Sequence, residues 1–356
     1  MTTISPPPAE VLEARKSLTQ GQLPPWAQWS MVSACLVVGL LIGLTTGFST
    51  ALALVLGAVA ALVVVPAVSW GVEGVRRAKD RLATLLVTLA FVLALLPLLS
   101  LLSTVVDRGR HRFDWKFLTD DMNRVVGEGG GAYHAIIGTL EITAAATIIS
   151  VPIGVMCAVY LVEYGRGWLA RSITLLVDVM TGIPSIVAGL FAFAFFSIFF
   201  GSGIRFGIGG AVALSLLMIP VVVRSVEEML KLVPNELREA SYALGVAKWL
   251  TVIRVVLRTA AAGIATGVTI AIARVIGETA PLLVIAGMAT RTNYDLFDGR
   301  MTTLPVYIFN SNANPGARAE FGLERAWAAA LTLVLIVLLL NLIARVISRV
   351  FALPTR

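Results

Sequence analysis

Arg274 and Glu278 stand four residues apart inside a stretch of small and apolar residues, AAAGIATGVTIAIARVIGETAPLLVIAGMA, that runs from Ala260 to Ala289. In a continuous helix at ~1.5 Å per residue, Arg274 would lie on the order of 20 Å from either end. Its side chain could not snorkel to a headgroup from there, so its charge must face protein or a water-filled cavity. At i and i+4 the two groups would share one helix face, where the carboxylate can orient the guanidinium. Such a pair either marks a polar pathway through a membrane or fixes helix register as a buried ion pair.

The elements that hold the pair must be membrane helices. The chain has 356 residues, 58% of them hydrophobic and only 14% charged, against about a quarter charged in soluble domains. Apolar stretches of about 20 residues or more recur along it. The predicted spans are 29–47, 49–70, 83–106, 134–162, 173–200, 208–223, 260–289 and 326–347. A transmembrane barrel is excluded, because its strands would be short and alternating. With the N-terminus inside, 17 of the 28 Lys and Arg fall on inner segments, counting Arg345 at the inner end of the last span, and 10 on outer loops, with Arg274 the remainder. That bias orients helices and does not point to nucleic acid. Cys35 and Cys157 both fall within spans and read as packing residues. His111 and His134 have no partner at metal-ligand spacing, so neither a metal site nor a haem site is expected.

Four segments follow from this pattern: a cytoplasmic tail, 1–28; an accessory hairpin with a basic linker, 29–82; a first core helix with an external loop, 83–133; and the main helical core, 134–350, which contains the loop 224–259. Gly39, Gly43 and Gly47 repeat every four residues and read as a close-packing face. Gly263 and Gly267 read the same way. Pro184, in Gly182-Ile183-Pro184-Ser185, predicts a kink or break at bilayer depth. Such a break either lines a transport site or only adjusts packing. Asp178 and Glu141 are lone acids within spans that could serve as polar glue or as pathway residues. Arg224 closes the sixth predicted span, either as an interfacial anchor or as a second cation on the pathway.

The segment 224–259 differs from every other polar interruption. It predicts a short helix between breaks at Pro234 and Gly245, with Asn235 as its cap and Glu236 and Glu239 near its positive end. A loop this long inside a compact domain usually has a function, and a short amphipathic helix held under a membrane suits docking.

Glu239-Ala240-Ser241, with Gly245 six positions after the glutamate, resembles the EAA loop of importer-type ABC permeases. Arg258 stands where that family places a proline. On either side, 138–165, 182–191, 220–230 and 265–283, with Arg274-Val-Ile-Gly-Glu278-Thr279-Ala-Pro at their centre, resemble the A-type permease subunits of phosphate importers. The resemblance implies an all-α integral membrane protein with the type I ABC importer permease fold: six core transmembrane helices, here preceded by an extra N-terminal hairpin. It implies a C-type permease partner, two cytoplasmic ATPase subunits and an external phosphate-binding protein. It places Glu239, Ala240 and Gly245 on the coupling surface, and Arg274, Glu278, Thr279 and Arg224 along the substrate pathway. A guanidinium offers paired donors that match phosphate oxygens, while the glutamate would limit how tightly the anion is held.

The chain has no G-x-x-x-x-G-K-[ST] motif, so it has no P-loop for ATP. No cofactor is expected on this chain; ATP and magnesium belong to the partner ATPase. A secondary anion transporter or channel, not driven by ATP, would use the same ion pair and broken helix. It would not need the short-helix loop.

Overall fold

The computed structural model describes residues 21–47, 49–316 and 318–351. The expected N-terminal tail lies outside the described residues up to position 20. Every described element is helical. The chain divides into two compact units, one through Leu102 and one from Ser103 onward.

In the first unit α1 (Ala27–Thr46) and α2 (Thr50–Glu73) form the hairpin, and α3 (Val75–Gly109) begins. Gly39 faces α2 so closely that an added Cβ would lie 2.6 Å from the Ala53 carbonyl oxygen, and one on Gly57 would lie 2.9 Å from that of Cys35. Gly39 and the buried Gly43 therefore form the close-packing face read from the four-residue repeat. Gly47 serves the backbone instead: at φ 76° it ends α1 in the left-handed conformation that glycine adopts without strain. The basic linker folds back on the hairpin. The Glu73 carboxylate accepts hydrogen bonds from Ser69 Oγ (2.7 Å), Arg81 Nε (2.7 Å), Arg81 Nη2 (2.9 Å) and the Leu23 amide (3.0 Å). A buried carboxylate with this many donors is compensated for its lost hydration.

The second unit holds α4 (Trp115–Thr119), α5 (Tyr133–Val159), α6 (Gly167–Thr181), α7 (Ser185–Phe200), α8 (Gly207–Lys231), α9 (Asn235–Ala243), α10 (Lys248–Thr251), α11 (Leu257–Val275), α12 (Ala280–Ile285), α13 (Leu304–Ala313) and α14 (Ala319–Phe351). Single π-helical segments extend α5 over Tyr160–Tyr164 and join α10 to α11 over Val252–Val256. At the centre is α8. Its Leu214, Met218, Val222, Val226 and Leu230, spaced every four residues, have no exposed surface, the stripe expected of a helix enclosed by neighbours. Small residues let those neighbours approach: Gly154 of α5 faces Val222, and Gly263 and Gly267 of α11 face Met229 and Ser225.

Among the described residues seven helices are long and apolar enough to cross a membrane, and α6 with α7 make an eighth span if that bent pair is counted as one. The axes of α6 and α7 differ by 108° at Gly182–Pro184, so the proline breaks the helix and does not merely bend it. Pro184 takes the N-cap position of α7, where its missing N–H costs nothing.

Two expected spans change. The predicted span 260–289 is not one helix: α11 stops at Val275, and α12 begins at Ala280 after a four-residue break. Gly277 weakens the helix there, and Pro281 occupies the first turn of α12, where proline is favoured. The predicted span 208–223 runs on to Lys231, because Arg224, Glu227 and Lys231 pair at i+3 and i+4 along the added turns.

Beyond α12 the chain re-enters the bundle. The Thr302 hydroxyl accepts from the Ala289 amide (2.6 Å) and donates to the Ala289 carbonyl (2.8 Å), and Thr139 Oγ1 accepts from the Leu304 amide (2.8 Å). Gly138 makes room for this segment, since a Cβ there would lie 2.2 Å from the Thr302 carbonyl oxygen. Gly138→Ala is expected to destabilise the protein by about 1–3 kcal/mol through overpacking, read as a lower thermal midpoint in detergent. Gly277→Ala, whose added Cβ meets open space, should stay within about 0.5 kcal/mol of the parent.

Candidate functional site

Arg274 sits in the last turn of α11, and Glu278 lies past the helix end. The two are therefore not i and i+4 neighbours on one helix, and no ion pair joins them among those of the described residues. The cation instead suits the negative end of the helix dipole. Arg274 is exposed on the surface of the chain, while Glu278 and Thr279 are half-buried. The Glu278 amide turns back to the Val275 carbonyl (3.1 Å), which closes the break.

The two broken helices meet. Gly189, in the second turn of α7, lies against Pro281, so that an added Cβ would fall 2.5 Å from the proline Cα. The Pro184 break and the Ile276–Thr279 break therefore belong to one assembly of packed segments. Neither alone signalled this from sequence, since 97 residues separate Pro184 from Pro281.

Arg224 lies within α8, two turns before its end. Its Nη1 donates to Glu227 Oε2 (2.9 Å) and its Nη2 to Asp178 Oδ1 at the end of α6, while Lys231 Nζ donates to Glu227 Oε1 (2.7 Å). Asp178, unassigned from sequence, thus has a partner. Glu141, the other lone acid, has an Oε2 with no hydrogen-bond partner. Ser225, beside Arg224, packs on Gly267. Arg274 is seven residues further along α11, ~10 Å at helical rise. The two cations thus stand at different depths on one packed pair of helices, one neutralised by carboxylates and one free of them.

At the far end of α8 the chain builds the short helix. Pro234, not Asn235, is the N-cap of α9, and no side chain caps it. Proline pre-sets the entry dihedral, and the Asn235 amide oxygen is instead engaged by Arg238 Nη1 (3.2 Å). Gly245, at φ 74°, follows the helix end in the left-handed conformation, with its amide on the Tyr242 carbonyl (2.9 Å) and the Val246 amide on that of Ser241 (3.2 Å). Glu239 and Ala240 are both on the accessible part of the helix, as are Leu237, Tyr242 and Leu244. A row of accessible Leu and Tyr beside a carboxylate is an unusual solvent face and a usual protein-contact face.

The inner face of α9 rests on contacts not foreseen from sequence. Arg238 Nε and Nη2 both donate to Glu163 Oε1 (3.0 and 2.9 Å), with side-chain exposures of 13% and 5%. The same guanidinium donates to the Val233 carbonyl (2.6 Å) and the Leu230 carbonyl (3.1 Å). Lys248 Nζ donates to the Glu163 carbonyl and lies 4.8 Å from the Tyr164 ring centroid. On the other side Ser241 and Thr251 share a buried hydroxyl–hydroxyl bond of 2.8 Å.

A helical membrane protein with one span broken at Pro184, a cation at the end of another, and a short helix presented at one end has the organisation of a transport permease. A family model for binding-protein-dependent transport system inner membrane components matches residues 150–353, more than half of the chain. The phosphate transport system permease protein PstA of Mycobacterium leprae is 49% identical over 273 residues, covering 75% of this chain and 88% of that one. PstA of Yersinia pestis is 39% identical over 274 residues, covering 76% and 90%. Among solved structures, a bacterial ABC transporter involved in the import of the acidic polysaccharide alginate matches with a TM-score of 0.52 at 15% identity, over 78% of this chain and 97% of that one, a likeness of fold. The chain belongs to the binding-protein-dependent transport inner membrane family, within its PstA branch.

Gly245→Val forces a β-branched residue into left-handed backbone, at about 1–2 kcal/mol or more. It should loosen the end of α9, seen as faster tryptic cleavage at Lys248 in limited proteolysis. Gly245→Asn should keep most of the parent's resistance.

Proposed function

We propose that this chain is one permease subunit of an ATP-driven phosphate importer. It forms half of the translocation pathway beside a C-type permease. It presents α9 to one of two ATPase subunits and receives phosphate from an external binding protein. In this reading α9 and both termini are cytoplasmic, the permease domain spans 134–350, and 29–82 is an accessory module. Hydrolysis, with its ATP and magnesium, belongs to the partner ATPase, and this chain carries no catalytic residue.

The observation that carries the reading is the exposed, unpaired Arg274 beside a break in an apolar bundle. A guanidinium facing hydrocarbon is costly, so this surface must be covered by a second subunit, by water, or by both. A pathway between two permeases supplies both. Phosphate carries one to two negative charges, and a guanidinium without a carboxylate partner can replace part of its lost hydration. Thr279 adds a hydroxyl, and Glu278, close but unpaired, discourages tight retention. Arg224, already held by Asp178 and Glu227, is a weaker anion ligand and suits a later station on the route.

With the complete importer in proteoliposomes, Arg274→Gln should lower labelled phosphate uptake by about 10- to 100-fold, the loss expected for one charge-assisted hydrogen-bond set. Arg274→Lys should fall between, because it keeps the charge and loses the fork. Unimpaired uptake by Arg274→Gln at equal membrane abundance would overturn the assignment. Separately, Glu239→Lys should reduce co-purification of the ATPase subunit while leaving the chain in the membrane.

A further inference from the structure

The short helix α9 is fastened to the rest of its unit from two sides, and one side is an ionic fork. Arg238 places two hydrogen bonds on Glu163, at the π-helical end of α5, one on the Leu230 carbonyl in the last turn of α8 and one on the Val233 carbonyl just beyond it. One guanidinium therefore ties α9 to α5 and α8 at once. Those two helices are in close contact further along, where Gly154 meets Val222, and α8 carries Arg224. The second fastening, Ser241 to Thr251, leads through the π-helical segment Val252–Val256 into α11, which carries Arg274. The first fastening ends on a π-helical turn and the second one residue before another, a geometry frequent at functional positions.

We propose that Glu163 and Arg238 are positioning residues that carry displacement of α9 into the α5–α8 pair. This rests on the reading of α9 as the ATPase contact. A planar fork that bonds both a carboxylate and two carbonyls resists rotation as well as separation, which a single hydroxyl bond does not. Glu239 and Ala240 lie on the accessible part of the same helix, so the surface that would be pushed is separate from the side chain that would transmit the push. The strut moves nothing chemical; it keeps the helix and the bundle in step.

The test uses the complete importer in proteoliposomes, with Glu163→Gln and Arg238→Lys made singly and together. Three quantities are measured: ATPase subunit bound, ATP hydrolysed, and phosphate taken up. The expected result is wild-type ATPase binding with phosphate uptake per ATP reduced by about tenfold, and with the double variant no worse than the more severe single one. An unchanged ratio of uptake to hydrolysis in both single variants would overturn the strut. So would losses that multiply in the double variant. If Glu163→Gln does not accumulate in the membrane, Glu163→Asp, which keeps the charge and shortens the reach, carries the same comparison. Failure of the functional reading looks different: the parent complex itself would show no ATP-dependent phosphate uptake.

Discussion

Hydrocarbon offers no hydrogen bonds, and that constraint governs where this chain can leave helical geometry. Each interruption named in the second unit has backbone engaged by protein. The turn after Val275 is closed by Glu278, the return near Ala289 by Thr302, and the start of α13 by Thr139. The prolines that begin α7 and α12 stand where a helix has no donor to lose. Irregular backbone is therefore possible at depth here, and with it a place for polar side chains that a plain helical bundle would exclude.

The same constraint explains the glycines. Without a hydrophobic force between helices in lipid, association relies on close van der Waals contact. Gly154, Gly189, Gly263 and Gly267 each bring α8 or α12 against a neighbour at a distance no Cβ would allow without movement. Packing this tight makes pairs of helices behave as blocks, since a dense interior transmits displacement and does not absorb it. A short helix fastened to two blocks can then act on both.

Much of this was legible in the sequence. Apolar length found the spans, Pro184 found the break, and Gly245 found the end of α9. Arg274 was legible as a charge within an apolar run, but its geometry was not. An unbroken apolar run reads as one helix, although Gly277 and Pro281 were the local signals for a stop and a restart. The reading of Asn235 as a cap failed because Pro234 already supplies the entry geometry and Arg238 takes the amide. The extension of α8 to Lys231 was hidden by treating charge as the end of a span, when charges at i+3 and i+4 can lengthen a helix past the apolar zone. The Glu163–Arg238 fork could not be read at all: 75 residues separate its members, and no local rule pairs them.

The two arginines show why pairing matters more than charge. Arg224 and Arg274 are the same side chain on adjoining helices, yet one is bracketed by Asp178 and Glu227 and the other ends its helix without a carboxylate. An anion meeting Arg224 must compete with two resident carboxylates, whereas at Arg274 it competes only with water and the helix end. A route that passes from the unpaired cation to the paired one would bind first and release afterwards. Two equally free cations would hold the anion at both stations. In the proposed importer the first arrangement favours delivery, because a site that binds too well does not release its cargo.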